Sequence, residues 1–294
     1  MNLKCIKIFS LFIIYGFLLN HSSRFLGNIN NLNENGFNNS KNINNYIYND
    51  LNSNKRLNNI INLKKLVYTI ILGNYDKPKP FNKQKGYDYY LITDDTSFEK
   101  YKNTNWTILE IPEIVKCLNI SIVKKQRFLK LHPHLFFKKY DLSIYIDGTF
   151  IIKGDLNEFL LRIITPKFFF YTFEHPRRRK IFLEIKSVIK AKKEKKSLGN
   201  VIKEKYEKEK FPDNNGLIES CLLIRKHNDK QCIDIMTKWY NEIKNYSHRD
   251  QLSFNYIIWK NHIKIKYIPK RYAYQYFLQK SSHLIHKIYI DKEK

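Results

Sequence analysis

The strongest constraint on the fold is a seven-residue, almost wholly apolar run, Leu66 to Leu72, that stops abruptly at Gly73-Asn74. A run this short, bounded by turn residues, suits a strand buried on both faces, and only a sheet covered by helices on each side provides that burial. The arrangement recurs. "YDYYLITDD" ends at Asp94-Asp95, "WTILEIP" ends at Pro112, and "LSIYIDGTFII" gives a strand, a turn at Asp147-Gly148 and a second short strand. "PKFFFYTFEHP", "GLIESCLLIRK" and "IKIKYIP" add three further strands.

Helical spacing fills the intervals. Ile114, Leu118, Ile122, Phe128, Leu131 and Leu135 mostly recur at that spacing, with Pro133 expected to break or kink the helix. Residues 177–210 carry 14 Lys/Arg against 5 Asp/Glu on an amphipathic pattern, with a break expected near Gly199. Two more helical stretches run from Asp229 to Asn245 and from Arg249 to Asn261. Strands alternating with helices predict an α/β sandwich around a mostly parallel sheet. Such sheets bind ligands outside the carboxyl ends of their strands.

Ahead of this unit, residues 1–23 place Lys4 and Lys7 before an apolar run from Ile8 to Leu19. That run is short for a membrane span and suits a signal peptide, or a signal anchor that would hold the chain to a membrane. Either sends the remainder into the secretory pathway. Residues 24–63 read as a disordered stem, because the interval from Asn20 to Asn62 holds 17 asparagines and no sustained hydrophobic period. Within it, Arg24-Phe25-Leu26 resembles an R-x-L export motif, with Asn28 where an acidic residue or Gln would complete it.

The chain carries 53 Lys+Arg against 27 Asp+Glu, a formal charge of +26, which would attract polyanions. Lys, Asn, Ile and Tyr are abundant throughout, however, so general composition accounts for much of the excess. No RNP, zinc-finger or basic-zipper pattern accompanies the charge, and the amino-terminal signal argues against a nucleic-acid partner. Cys117, Cys221 and Cys232 follow the targeting segment; they allow one disulfide at most and have no metal-binding spacing.

Three strands end in polar punctuation on one rim: Gly73-Asn74-Tyr75-Asp76, Asp94-Asp95 and Asp147-Gly148. Turn chemistry alone explains each one, but their convergence builds a site of carboxylates and backbone N–H groups. Asp147 would emerge there as a hard oxygen ligand suited to Mg²⁺ or Mn²⁺ at a diphosphate, and Gly148 lets the backbone approach a ligand closely. Arg127 and Lys130, three apart, share a helix face that could meet a diphosphate or simply be solvated. His175, Arg177 and Arg178 follow an apolar strand and offer a metal ligand and phosphate donors, or merely begin the basic helix. Around Asp250, Ser247 or Asp250 itself could be a helix cap; the polar cluster Arg249-Asp250-Gln251 beside Leu252 and Phe254 argues for a site.

The pieces "YTIILGNYD", "YDYYLITDD", "KQRFLKLHPHLFFKKYDLSIYIDGTF", "FEHPRR", "FPDNNGLIESCLLIRKHND" and "SHRDQLSFNYIIWK", in that order, resemble a glycosyltransferase-like family. That family includes plant turgor-regulation and seed-mucilage proteins and many bacterial glycosyltransferase-domain chains. The resemblance runs from about Leu66 to Lys260 and implies a GT-A-type domain, here residues 64–290, that moves a sugar from a nucleotide-sugar to a hydroxyl of a glycan, glycoprotein or glycolipid. By the same resemblance Asp147 stands at the first Asp of the D-x-D motif, while the second is Thr149. Asp250-Gln251 resembles the pair that lines the donor sugar in retaining enzymes, so the catalytic expectation is Asp147, Asp250 and Gln251. Donor binding is expected from Gly73, Asn74, Tyr75, Asp95, Arg127, Lys130, Gly148 and Arg177. Asn215, Gly216, Glu219 and Arg249 fall on the acceptor side, and Asp147 with His175 would hold any Mn²⁺ or Mg²⁺. The alternative is an inactive descendant of the fold that binds anionic glycans or phospholipids through its basic helix.

Overall fold

The computed structural model describes residues 56–96, 101 and 103–279. The expected signal segment, the R-x-L motif and the stem up to residue 55 lie outside them. The described part begins before Leu63: residues 56–61 are helical and Ile60 is buried. The Lys65 ammonium explains this, donating to the carbonyls of Ile60, Ile61 and Leu63 at 2.7, 3.0 and 3.0 Å and so closing the helix end.

Seven strands form the main sheet: β1 (Lys65–Ile71), β2 (Tyr87–Thr93), β3 (Thr107–Glu110), β4 (Leu142–Ile146), β6 (Phe170–Glu174), β7 (Ile218–Arg225) and β8 (Lys266–Ile268). Their spatial order is β3-β2-β1-β4-β7-β6-β8. β1, β2, β3 and β4 are mutually parallel, β7 runs antiparallel to both β4 and β6, and β8 is parallel to β6. The α/β sandwich around a mostly parallel sheet is therefore present, with one reversed strand in its middle. β7 consequently starts at the rim where its neighbours end. A second, two-stranded sheet pairs β5 (Phe150–Ile152) with β9 (Phe277–Gln279).

Helices cover both faces: α1 (Glu113–Lys116), α2 (Ile122–Leu131), α3 (Pro133–Phe136), α4 (Leu156–Ile163), α5 (Ile181–Lys190), α6 (Lys196–Lys208), α7 (Lys230–Asn245), α8 (Phe254–Lys260) and α9 (Arg271–Tyr276). Strand alternation divides the core. Leu66, Tyr68 and Ile70 join Leu129 of α2 and Trp239 of α7, whereas Val67 and Ile71 join Phe159 and Leu160 of α4. Burial on both faces is why β1 reads as a continuous apolar run.

Several local expectations change. Pro133 does interrupt the helical segment, sitting at the first position of α3, where its missing N–H is harmless. The break in 177–210 falls at residues 191–195 rather than at Gly199, which lies inside α6. A Cβ at Gly199 would come within 2.5 Å of Ile189 Cδ1, so this glycine permits close packing of α5 on α6. The stretch from Arg249 is a 3₁₀ turn, Asp250–Leu252, followed by α8, not one helix. Helix α4 had no assignment, although Asp155 caps it by accepting from the Glu158 N–H at 2.8 Å, a signature present in the sequence. Near the end of the described chain, the N–H groups of Lys153 and Gly154 both donate to the Tyr276 carbonyl, at 2.8 and 3.1 Å.

Three histidines cluster behind α2. Burial pushes His132 down to about 4, His134 to about 3 and His227 to about 4, with the Arg225 charge adding to the effect. They are neutral in the folded protein and must charge in acid. Their contribution is thus fully present above the ordinary histidine value near 6.5 and is lost as pH falls from there toward 4. Urea unfolding between pH 7 and pH 4.5 is expected to show a falling midpoint, shallower in His227→Asn; a midpoint constant across that interval would contradict the buried neutral state.

Candidate active site

Asp147 leaves the carboxyl end of β4, its N–H donating to the Cys221 carbonyl of β7 and its own carbonyl accepting from Phe150 N–H, each at 2.9 Å. The backbone is thereby pinned while the side chain, 40% exposed, reaches the rim. Tyr145, two residues earlier on the same face, donates its hydroxyl to Asp147 Oδ1 at 2.7 Å. Space at Gly148 is tight, because a Cβ there would lie 3.0 Å from Ile71 Cδ1 and 3.5 Å from the Asp76 Cβ.

Behind Asp147 sits a buried ion cluster. Lys130, whose side chain is 1% exposed, places its ammonium 2.7 Å from Asp250 Oδ2 and 4.0 Å from Asp147 Oδ1. Arg127 Nε lies 3.5 Å from the same Asp250 oxygen and donates to the His248 carbonyl at 3.2 Å. Arg127 also donates to Gln126 Oε1, and Gln126 Nε2 donates to the Tyr145 hydroxyl at 3.0 Å, closing a ring of contacts around the Lys130 ammonium, which lies 4.7 Å from the Tyr145 ring. Burial alone would raise the Asp250 carboxyl, but Arg127 and Lys130 reverse this and hold it well below the usual carboxylate range. Tyr145 moves the other way, pushed well up by burial and by Asp147.

The cluster is held from behind by two residues that sequence reasoning missed. The Lys130 carbonyl accepts from the Tyr68 hydroxyl at 2.8 Å and from Arg225 Nη1 at 2.9 Å, while Arg225 also donates to the Tyr68 hydroxyl. Trp239 Nε1 donates to the Asp250 carbonyl at 3.0 Å. Three elements, β1, β7 and α7, thus hold the backbones of one ion pair.

The β1 loop closes the other side. Gly73 and Asn74 both adopt left-handed backbone, φ 61° and 55°, and the Gly73 N–H donates to both Asp94 carboxylate oxygens at 2.9 Å. The loop delivers Tyr75. Its phenol is raised by burial and then by Asp76, and it also feels Arg249, Arg127 and Asp147. Asp95 stays on the β2 turn, its N–H donating to Thr93 Oγ1 at 3.2 Å.

A second group lies along the rim, beyond Cys221, whose thiol is raised by burial and then by Glu219 and Asp147. Glu219 is paired there with Lys270, which follows the carboxyl end of β8. His175 lies in this group. Its Nδ1 accepts from the N–H groups of Arg177 and Arg178 at 3.3 and 3.0 Å, and its Nε2 lies 3.7 Å from Glu184. Burial lowers this imidazole, with Glu184 opposing. Asn215 and Asn255 exchange amide-to-carbonyl hydrogen bonds, and Gly216 takes φ 76°, a conformation that favours glycine. Gln251 Nε2 donates to the Ile218 carbonyl at 3.3 Å, tying the 3₁₀ turn to the start of β7.

The structure therefore brings together Asp147, Gly148, Tyr75, Arg127, Lys130, Arg249 and Asp250, and sets His175, Arg177, Asn215, Gly216 and Glu219 along the adjoining rim. Two omissions were readable: Tyr145 by the period of two from Asp147, and Lys270 by its place after a strand end. Gln126, Tyr68 and Arg225 carried no such signal.

For a divalent cation the donor set does not fit. Thr149 replaces a second carboxylate and is itself buried, Lys130 stands 4.0 Å from Asp147, and among the described residues no group of three or more His, Cys, Asp or Glu could hold a metal.

A family model for the TOD1/MUCI70 glycosyltransferase-like domain matches residues 20–283. The chain belongs to the TOD1/MUCI70 glycosyltransferase-like family. Membership and the mixed sheet agree with the GT-A-like sandwich implied by the resemblance. Among solved structures, this TOD1/MUCI70 chain is similar to a WbbM bifunctional glycosyltransferase in its apo form, at 15% identity and TM-score 0.46 over 71% of this chain and 39% of that one. It is also similar to mouse xyloside xylosyltransferase 1 in its apo form, at 10% identity and TM-score 0.44 over 75% of this chain and 96% of that one. A third is the glycosyltransferase GlyE of Streptococcus pneumoniae TIGR4, at 14% identity and TM-score 0.42 over 72% and 47%. The chain thus spans under half the length of the WbbM and GlyE chains. The comparison with curated proteins returns no match. Among the described residues, no helix is long and apolar enough to cross a membrane.

Removing one partner of a buried ion pair strands the other. Lys130→Met and Asp250→Asn are each expected to destabilise by about 3 kcal/mol in urea titrations, with the double variant well short of the sum. Additive losses would show that the pair is not coupled.

Proposed function

We propose that this chain transfers a sugar from a nucleotide-sugar to an acceptor hydroxyl. One observation carries the reading within the family: a half-exposed carboxylate, Asp147, stands at the carboxyl rim of the sheet in front of a buried ion cluster that is already paired and rigid. Rim placement is where α/β sheets bind ligands, and prepaid pairing gives the fixed polar environment that charge-separating chemistry requires. Asp147 accepts hydroxyl groups of the donor. Lys130 stands 4.0 Å behind it, and Tyr145 orients it through the 2.7 Å hydrogen bond. Asp250, with its side chain 6% exposed, acts by holding Lys130 and Arg127 in place. The adjoining Glu219–Lys270 pair and the Asn215–Gly216 turn face the acceptor, a glycan, glycoprotein or glycolipid. Delivery to the secretory pathway and attachment to a membrane belong to the amino-terminal segment in this reading.

A second reading is supported by the turn between α5 and α6. Lys186, Lys190, Lys192, Lys193, Lys195 and Lys196 are all exposed there, a surface suited to anionic glycans or phospholipid headgroups without catalysis.

Incubating the purified chain with a panel of nucleotide-sugars and measuring release of nucleoside diphosphate decides between them. One donor is expected to be consumed, with Asp147→Asn slowing release about 100-fold while leaving the urea midpoint unchanged. If no donor is consumed and none raises the melting temperature, the transferase reading falls; retention of anionic vesicles by the same protein would then favour the second.

A further inference from the structure

Two basic residues of the ion cluster behind Asp147 are already committed. Lys130 and Arg127 both serve Asp250, at 2.7 and 3.5 Å. Arg249 is not. Its Nε is buried with no hydrogen-bond partner, and among the described residues no carboxylate lies within 4.0 Å of its guanidinium. Its backbone is nevertheless fixed, the N–H donating to Ser247 Oγ at 3.0 Å at the entry to the 3₁₀ turn. Arg249 directly precedes Asp250 of the ion cluster, and its charge lowers both the Asp250 carboxyl and the Tyr75 phenol of the β1 loop. A buried donor left without an acceptor is costly and uncommon, and one beside a candidate site is a place where a ligand could complete the bonding.

The acceptor class follows from the fork geometry of guanidinium, which matches phosphate oxygens two at a time. A leaving nucleoside diphosphate brings such oxygens to this rim together with negative charge that must be offset. The donor set at Asp147 does not fit the divalent cation that could otherwise offset it. We infer that Arg249 binds the diphosphate of the donor and carries its charge without a divalent cation. This rests on the transferase reading and moves Arg249 from the acceptor side to the donor side. No bond is made to Arg249. As the acceptor oxygen bonds the anomeric carbon and its proton passes to solvent, the sugar–phosphate bond breaks with its electron pair staying on the diphosphate, where the guanidinium stabilises it.

The test uses the full-length chain with UDP and GDP as probes, by isothermal titration calorimetry in excess EDTA and again with Mn²⁺. At least one probe is expected to bind, with affinities in the two buffers within about twofold. Arg249→Gln is expected to weaken it about tenfold or more, the value of one charge-assisted hydrogen bond, and Arg249→Lys to recover part of the loss. The matching nucleoside without phosphates should bind parent and Arg249→Gln alike, which a merely misfolded variant would not reproduce. Binding lost in EDTA and restored by Mn²⁺, or unchanged in Arg249→Gln, overturns the inference and leaves the transferase reading standing. Failure of both probes in both buffers, with no nucleotide-sugar consumed, overturns the two together.

Discussion

The site depends on one buried contact, the ammonium of Lys130 against the carboxylate of Asp250. Neither charge has water to fall back on, so each is tolerable only because the other is placed within hydrogen-bond reach. That need ties α2 to the turn after α7, and Trp239, Tyr68 and Arg225 hold the two backbones from opposite sides. Asp147 then gains a fixed positive neighbour at 4.0 Å without being neutralised by it. The arrangement separates tasks that a single surface ion pair could not combine, since Asp250 consumes the charge that would otherwise collapse onto the rim carboxylate.

Much of the frame was readable because burial on both faces leaves an unmistakable pattern. The runs at Leu66 and Ser143 could be little else than covered strands, and their polar ends located the rim. Direction was not readable. β7 carries a buried apolar run as its parallel neighbours do, and only its pairing with β4 and β6 reveals its reversal. Gly199 misled because glycine weakens an isolated helix, whereas here it is consumed by packing against Ile189.

Within the site, the sequence pointed to the right residues more readily than to their relations. Arg127 and Lys130 looked like an outward basic face, because three-residue spacing cannot say which side of a helix meets the core. Their shared partner Asp250, 120 positions beyond Lys130, decides it. His175 suffered the opposite ambiguity: it stands after a strand end as a ligand would, yet its ring organises the backbone of Arg177 and Arg178. Tyr68 and Arg225 escaped notice altogether, being polar atoms carried inside apolar strands.

The small sheet of β5 and β9 has a bearing on the site that its size conceals. β5 begins three residues after Asp147, and its continuation at Lys153 and Gly154 is bonded to the Tyr276 carbonyl. The acidic turn is therefore a tether with two anchors, one in the main sheet through Cys221 and one in the segment 271–279. A displacement of that distant segment would pull directly on the strand behind Asp147, so a binding event or modification there has a mechanical route to the chemistry with no contact to the ligand.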